Sequence, residues 1–238
     1  MKKSFNMLPI DYAAKAYLLG FLACDGSVYD NKKIQLEITD ESIIDMFCEI
    51  TDAHYIEYSK YDKRTDKTYS GFRTYKVIND ILDIYGGRLK KDRIIPLELI
   101  PQEYYSFLVQ GIFDADGTLR GTVYSKNRID VEIQIASSYN IIILLDTVLS
   151  NIGIRGYIHE AKNYYTYYIY NKYDFAKFVQ YIYSYQSFLP LKRKYDKARF
   201  ILNTIIDMNK EHLLPYIYPN IKYDSFKPIK MKPFYYNT

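Results

Sequence analysis

Apolar and polar positions along the chain fall into one pattern that is used twice. The first copy opens with AKAYLLGFLACDG and the second with YSFLVQGIFDADG, each an apolar helical run that ends in Asp-Gly and is followed by Ser27 or Thr118. Beyond each, the period shortens to two. KIQLEIT (33–39) and DVEIQIAS (130–137) alternate apolar with polar residues, as a strand with one buried face does. Both lead into helical runs, DESIIDMFCEI and SYNIIILLDTVLSNIG, whose first residues Asp40 and Ser138 are suited to cap a helix start. Two more strand-like runs follow in each half, HYIEYSKY with TYSGFRTYKV and RGYIHEA with NYYTYYIY, and a third helix closes the half.

The predicted order is therefore helix, two strands, helix, two strands, helix, and then the same again. Antiparallel hairpins backed by helices give an α+β fold built from duplicated αββαββα units. The connection GGRLKKDRIIPLELIP, with Gly86, Gly87, Pro96 and Pro101, divides a first repeat with its linker (1–95) from a second (96–208). From residue 209 onward, four prolines and five lysines predict an extended basic tail.

Composition narrows the classes. With 238 residues, 48% of them hydrophobic, the chain can bury a core, and a formal charge of +4 permits a nucleic-acid partner without requiring one. Cys24 and Cys48 are the only cysteines and stand in no metal-binding cluster, so neither zinc nor a disulfide framework is expected. No apolar run is long enough for a membrane span, and an intracellular protein of a bacterium, phage or organelle is expected. The 29 tyrosines beside abundant Ile, Lys and Asn fit an A·T-rich gene better than a tyrosine chemistry.

The repeated helix carries the chemistry. Ala16, Gly20 and Cys24 are spaced four apart on one face, as are Gly111 and Ala115. Glycine inside a helix costs about 1 kcal/mol relative to alanine, so its use in both copies predicts close backbone approach between the two helices. Gly26 and Gly117 are expected as left-handed caps. Asp25 and Asp116 then sit where a carboxylate faces the negative end of the helix dipole, a placement that makes sense if a cation binds there. Mg²⁺ and Ca²⁺ prefer such carboxylate and carbonyl oxygens.

LLGFLACDG and VQGIFDADG resemble the two motifs of the LAGLIDADG homing endonuclease family in its single-chain, two-repeat form, and the likeness spans roughly residues 12–205. It implies a saddle-shaped antiparallel sheet along a long, asymmetric double-stranded DNA site, cut in both strands by a monomer. It also implies Mg²⁺, with Mn²⁺ or Ca²⁺ able to take its place, held by Asp25 and Asp116 and the backbone carbonyls of Cys24 and Ala115. The second motif follows the family pattern; the first has Ala23 where an acid is common. Phe188-Leu189-Pro190-Leu191-Lys192-Arg193-Lys194 resembles the family's C-terminal lysine segment, which nominates Lys192 as a catalytic residue, with Lys90 or Lys91 as the counterpart in the first half.

Polar strand residues facing away from the helices, Gln35, Glu37, Arg73, Glu132 and Gln134, are candidates for base contact. Arg64, Lys67, Lys126 and Arg128 near hairpin turns suit phosphate contact. His54, His159 and His212 lack paired ligand spacing and are expected to be structural or solvent-facing. The ends of the chain do not match an intein's junction chemistry, which predicts a free-standing or intron-encoded protein. Two further functions fit the same fold: an intron RNA maturase, and a DNA-binding regulator that does not cut.

Overall fold

The structure is a computed structural model that describes residues 4–125, 128–183 and 191–208. Lys126, His212 and the tail expected from residue 209 lie outside the described residues. The first repeat runs α1 (Ala13–Asp25), β1 (Ser27–Tyr29), β2 (Lys33–Ile38), α2 (Glu41–Thr51), β3 (Tyr55–Asp62), β4 (Lys67–Val77) and α3 (Ile81–Tyr85). After three short 3₁₀ turns the second repeat follows with α4 (Tyr105–Asp116), β5 (Gly117–Ser125), β6 (Arg128–Ser137), α5 (Tyr139–Asn151), β7 (Tyr157–Glu160), β8 (Tyr165–Ile169) and α6 (Lys172–Ile182). This is the expected αββαββα order, twice. One further helix, α7 (Lys192–Met208), extends the second repeat, where sequence reading had seen only a basic segment.

Each repeat builds its own antiparallel sheet, in the orders β1-β2-β4-β3 and β5-β6-β8-β7. Alternation explains which face is covered. Ile34 and Leu36 of β2, and Ile133 and Ile135 of β6, are buried against the helices, so their neighbours Gln35, Glu37, Glu132 and Gln134 face the other way. Strands β1 and β5, the hairpin partners that the sequence pattern counted but did not locate, begin directly after the first Asp-Gly pair and at the glycine of the second.

Helices α1 and α4 pack together at the centre and are buried on nearly every side, as expected of helices without a polar face. The two predicted glycines are what lets them meet. A methyl group on Gly20 would lie 2.4 Å from the carbonyl oxygen of Leu108, and one on Gly111 would lie 2.1 Å from that of Tyr17. Backbone touches backbone here, which fixes the separation of the two Asp-bearing helix ends.

Two local expectations differ. Gly26 and Gly117 are extended, with φ of −68° and −88°, and are not left-handed caps. Glycine is required there for space: a Cβ would meet the carbonyl of Leu22 at 2.6 Å or that of Phe113 at 2.5 Å as the chain turns from helix into strand. Neither Asp40 nor Ser138 caps its helix through its side chain. The Asp40 carboxylate is taken by Arg193 of the other repeat, whose Nε and Nη2 donate to it at 2.9 Å each. Among the described residues no helix is long and apolar enough to cross a membrane.

Candidate nuclease centre and nucleic-acid face

Because α1 and α4 cross at their glycines and end together, Asp25 and Asp116 are brought into each other's electrostatic field. Asp25 is half-buried, and its carboxyl is pushed above the usual carboxylate range by that burial and then by the negative charge of Asp116, with Lys90 and Lys194 opposing. Cys24 lies between them, fully buried and 3.7 Å from Ser137 Oγ, and its thiol is pushed up by burial and by Asp116. A carboxylate raised by burial and by a neighbouring negative charge marks a place where a cation lowers the energy.

Each helix end already has one built-in cation. Arg93 is buried, and its Nη1 donates to the carbonyls of Leu22 and Ala23 at 2.9 and 2.8 Å, three and two residues before Asp25. Lys194 Nζ donates to the carbonyls of Phe113 and Asp114 at 2.7 Å each, three and two residues before Asp116, and to Gly117 at 2.6 Å. Both satisfy carbonyls that a helix C-terminus leaves unpaired and offset the negative end of the dipole. Burial pushes the Lys194 ammonium below its ordinary range. All three of its protons are used, so it does not reach the carbonyl of Ala115.

Asp114, the second acid of the DADG motif, is buried beside this cluster and accepts from Tyr17 Oη at 3.0 Å and from Tyr183 Oη at 3.5 Å. Its carboxyl is pushed up by burial, while Lys194 and the two phenols pull the other way. Ala23 holds the matching place in the first repeat, so this buried network is one-sided.

The structure separates the nominated lysines. Lys192 points outward and pairs with Asp196 on the same helix. Lys91 is exposed, whereas Lys90 Nζ lies 3.9 Å from Asp25 Oδ1. The lysine that reaches the helix end in the second half is thus Lys194, two residues beyond the nominated Lys192, and Arg93 takes the equivalent place in the first half. The sequence carries a signal for this placement: Tyr195, Ala198, Ile201, Leu202 and Ile205 form the buried stripe of α7, continued from Leu191 just before it, and position 194 falls on that stripe while 192 does not. Arg93 had no comparable signal, being one more charge in a basic linker. These placements predict that Lys194→Met, which strips the donor from three carbonyls, destabilises the fold by about 2 kcal/mol or more. Lys192→Ala removes an exposed i,i+4 pair and should shift stability by about 0.5 kcal/mol or less. Thermal melting of the two variants side by side checks this, and equal effects would refute the assignment.

Beyond the acids, strand register produces a matched pair of outward rows. Ser27, Gln35 and Tyr75 are opposite one another across β1, β2 and β4, and Thr118, Gln134 and Tyr168 are opposite one another across β5, β6 and β8. The two repeats thus present the same hydroxyl, amide and phenol two residues from their aspartates. Further out, Glu37 is held by Arg73, and Glu132 stands opposite Arg120. Arg64 pairs with Asp62 in the β3–β4 turn, Lys67 starts β4 in the open, and Arg128 pairs with Asp130 at the far end of β6. His54 and His159 are both exposed and away from the aspartates.

Comparison with known proteins follows the same division into repeats. Residues 103–183 match the model of the LAGLIDADG-like domain, and residues 14–89 match that of the WhiA LAGLIDADG-like domain. The chain is a two-repeat member of the LAGLIDADG family. No curated protein matches it by sequence. Among solved structures it is similar to full-length WhiA from Thermatoga maritima, at 13% identity and a TM-score of 0.54, with 84% of this chain and 66% of that one covered. The chain therefore spans just under two thirds of that protein's length. It is likewise similar to the meganuclease I-SmaMI bound to uncleaveable DNA (13%, 0.54, 84% and 92%) and to the homing endonuclease I-WcaI bound to its DNA recognition sequence (16%, 0.52, 83% and 88%). At these identities the likeness establishes the fold.

Proposed function

We propose that this protein is a site-specific endonuclease that hydrolyses one phosphodiester in each strand of double-stranded DNA with the help of a divalent ion, Mg²⁺ by preference. The observation that carries this reading is the meeting of Asp25 and Asp116. The ends of the two packed helices bring these carboxylates into each other's field beside two polar strand rows, and burial and then the charge of Asp116 raise the Asp25 carboxyl.

The donor set fits a divalent ion. Arg93 and Lys194 bond to the carbonyls of residues 22, 23, 113, 114 and 117 and not to those of Cys24 and Ala115. Among the described residues no three acidic, His or Cys side chains gather into a closed cage. Mg²⁺ sites completed by water and substrate phosphates are open in this way. Asp25 and Asp116 would hold the ions, which supply Lewis acidity at the phosphate and at the attacking water. The residues around them have other tasks. Lys90 stands beside Asp25 where a phosphate oxygen would lie, Arg93 and Lys194 hold the helix ends, and the Ser27 and Thr118 rows face the base edges. Arg64 and Lys67 supply the salt-dependent attraction to the backbone.

A second reading, a DNA-binding protein on this fold that does not cut, is favoured by Ala23 in the first motif and by the match of that repeat to a WhiA-type domain. One experiment decides. Duplexes bound by the full chain are selected from a randomised pool in EDTA, and Mg²⁺ is then added to the selected site. Linear products cut in both strands support the endonuclease, whereas a bound site that stays intact at all Mg²⁺ and Mn²⁺ concentrations supports the second reading.

A further inference from the structure

The outward faces of the two sheets carry one construction in common. In the first, Arg73 Nε donates to Glu37 Oε2 at 3.0 Å, Nη2 lies 2.9 Å from the same oxygen, and the guanidinium carbon lies 4.9 Å from the ring centre of Tyr58. In the second, Arg128 Nε and Nη2 donate to the Asp130 carboxylate at 3.4 and 3.3 Å, and its guanidinium lies 5.0 Å from the ring of Tyr124. Arg73 and Glu37 are register partners on neighbouring strands, and Arg128 and Asp130 share one face of β6, so the two arrangements arose from different local geometry.

In both cases the carboxylate takes the side edge of the guanidinium, the one formed by Nε and Nη2. The end edge, formed by Nη1 and the outer proton of Nη2, is not used by the carboxylate, although the Arg73 guanidinium also bonds to Tyr75, which a base would have to displace or share. A ring beneath and a carboxylate beside an arginine remove most of its rotational freedom before any partner arrives. What an oriented end edge matches is a pair of acceptors in one plane, and in the major groove guanine offers these as O6 and N7. The Glu37 carboxylate is already engaged. Glu37 Oε2 accepts from Arg73 Nε and from Gln35 Nε2 at 3.2 Å, Arg73 Nη2 is 2.9 Å away, and Tyr58 bonds to the same carboxylate.

We infer that Arg73 and Arg128 each read a guanine, one in each arm of the target, and that Glu37 and Asp130 position them without touching a base. The inference rests on the reading of these faces as a duplex-DNA surface. It reassigns Glu37 from base contact to support and Arg128 from phosphate contact to base contact. It also states one compositional feature of the target, a G·C pair on either side of the centre at the distances set by β4 and β6.

The test is selection of bound duplexes from a randomised pool by the full chain in EDTA, repeated with Arg73→Lys, Arg128→Lys and Glu37→Gln. Lysine keeps the positive charge but lacks the fork, so a purely electrostatic role survives the change. The wild type is expected to select a guanine at one position in each arm. Arg73→Lys should relax one of these positions and Arg128→Lys the other, each lowering affinity for the selected site by between about 5- and 150-fold while leaving affinity for the unselected pool unchanged. Glu37→Gln should relax the same position as Arg73→Lys. An unchanged profile in the lysine variants overturns the inference, as does a Glu37→Gln profile altered at a different position, which would make the carboxylate the reader. Absence of any selected sequence in the wild type overturns the duplex-DNA reading along with it. The guanine shifts support the inference whether or not Mg²⁺ then produces cuts.

Discussion

Asp25→Asn and Asp116→Asn are each expected to abolish double-strand cleavage while leaving binding of the selected duplex in place, and to make the metal-free protein more stable. Loss of activity follows from replacing a charged oxygen ligand with a neutral amide at a site that, by the reading above, holds a divalent ion. The gain in stability has an independent cause. Asp25 titrates above the range of an unfolded aspartate, so the fold prefers it protonated. Its contribution is fully present at pH below the unfolded value and is lost as pH rises through the raised folded value. At neutral pH the metal-free wild type therefore carries two mutually repelling carboxylates, and an amide at either position removes the repulsion. The difference in melting temperature between wild type and Asp25→Asn should shrink as the pH is lowered toward the ordinary carboxylate range. Mg²⁺ should raise the melting temperature of the wild type at neutral pH and do little for the double variant. Melting curves at several pH values, with and without Mg²⁺, measure all of this without a DNA substrate. A wild type that is more stable than both amide variants in EDTA at pH 7 would remove the argument that these acids are held against a cost.

Much of this arrangement was legible in the sequence because it was written twice. One Asp-Gly after an apolar helix is an ordinary turn, but two of them in equivalent places, each behind a face of small residues, located α1, α4 and their crossing. The alternation in KIQLEIT and DVEIQIAS located β2 and β6 and said which side chains face outward. What stayed hidden depended on tertiary contact. Strand β1 is three residues long, too short to show a period. Asp40 looked like a helix cap, and its carboxylate instead ties the first repeat to Arg193 of the second, a contact 153 residues apart in sequence. The choice among Lys192, Arg193 and Lys194 turned on the phase of a helix whose apolar stripe had to be read through residue 205.

The asymmetry between the repeats bears on how the centre works. Asp114, Tyr17, Tyr183 and Lys194 form a buried polar group around the end of α4, while the end of α1 has Ala23 and Arg93. Arginine keeps its proton at any working pH, and lysine in a buried setting does not hold its proton as firmly. The two halves are therefore alike in backbone and unlike in electrostatics, a difference that a single chain can accumulate and a symmetric dimer cannot.

Gly111→Ala is the substitution expected to cost the fold most. Its Cβ would stand 2.1 Å from the carbonyl oxygen of Tyr17 and 3.0 Å from the amide nitrogen of Phe21, both backbone atoms of the facing helix, so no side-chain rotation relieves the clash. The helices must separate instead, which loosens the buried contacts along α1 and α4. A loss of roughly 3 kcal/mol or more is expected, at the upper end for overpacking, corresponding to a fall in melting temperature of about 6 to 12 °C for a chain of this size. Gly86→Ala provides the control. Gly86 has a φ of +66° with nothing within 4 Å of its missing Cβ, so alanine there meets only backbone strain of about 1 to 2 kcal/mol. Because the helix separation also sets the distance between Asp25 and Asp116, Gly111→Ala should weaken Mg²⁺ stabilisation even under conditions where the protein remains folded, and Gly86→Ala should not. If both variants lose the same stability and respond equally to Mg²⁺, the crossing is not what holds the two acids together.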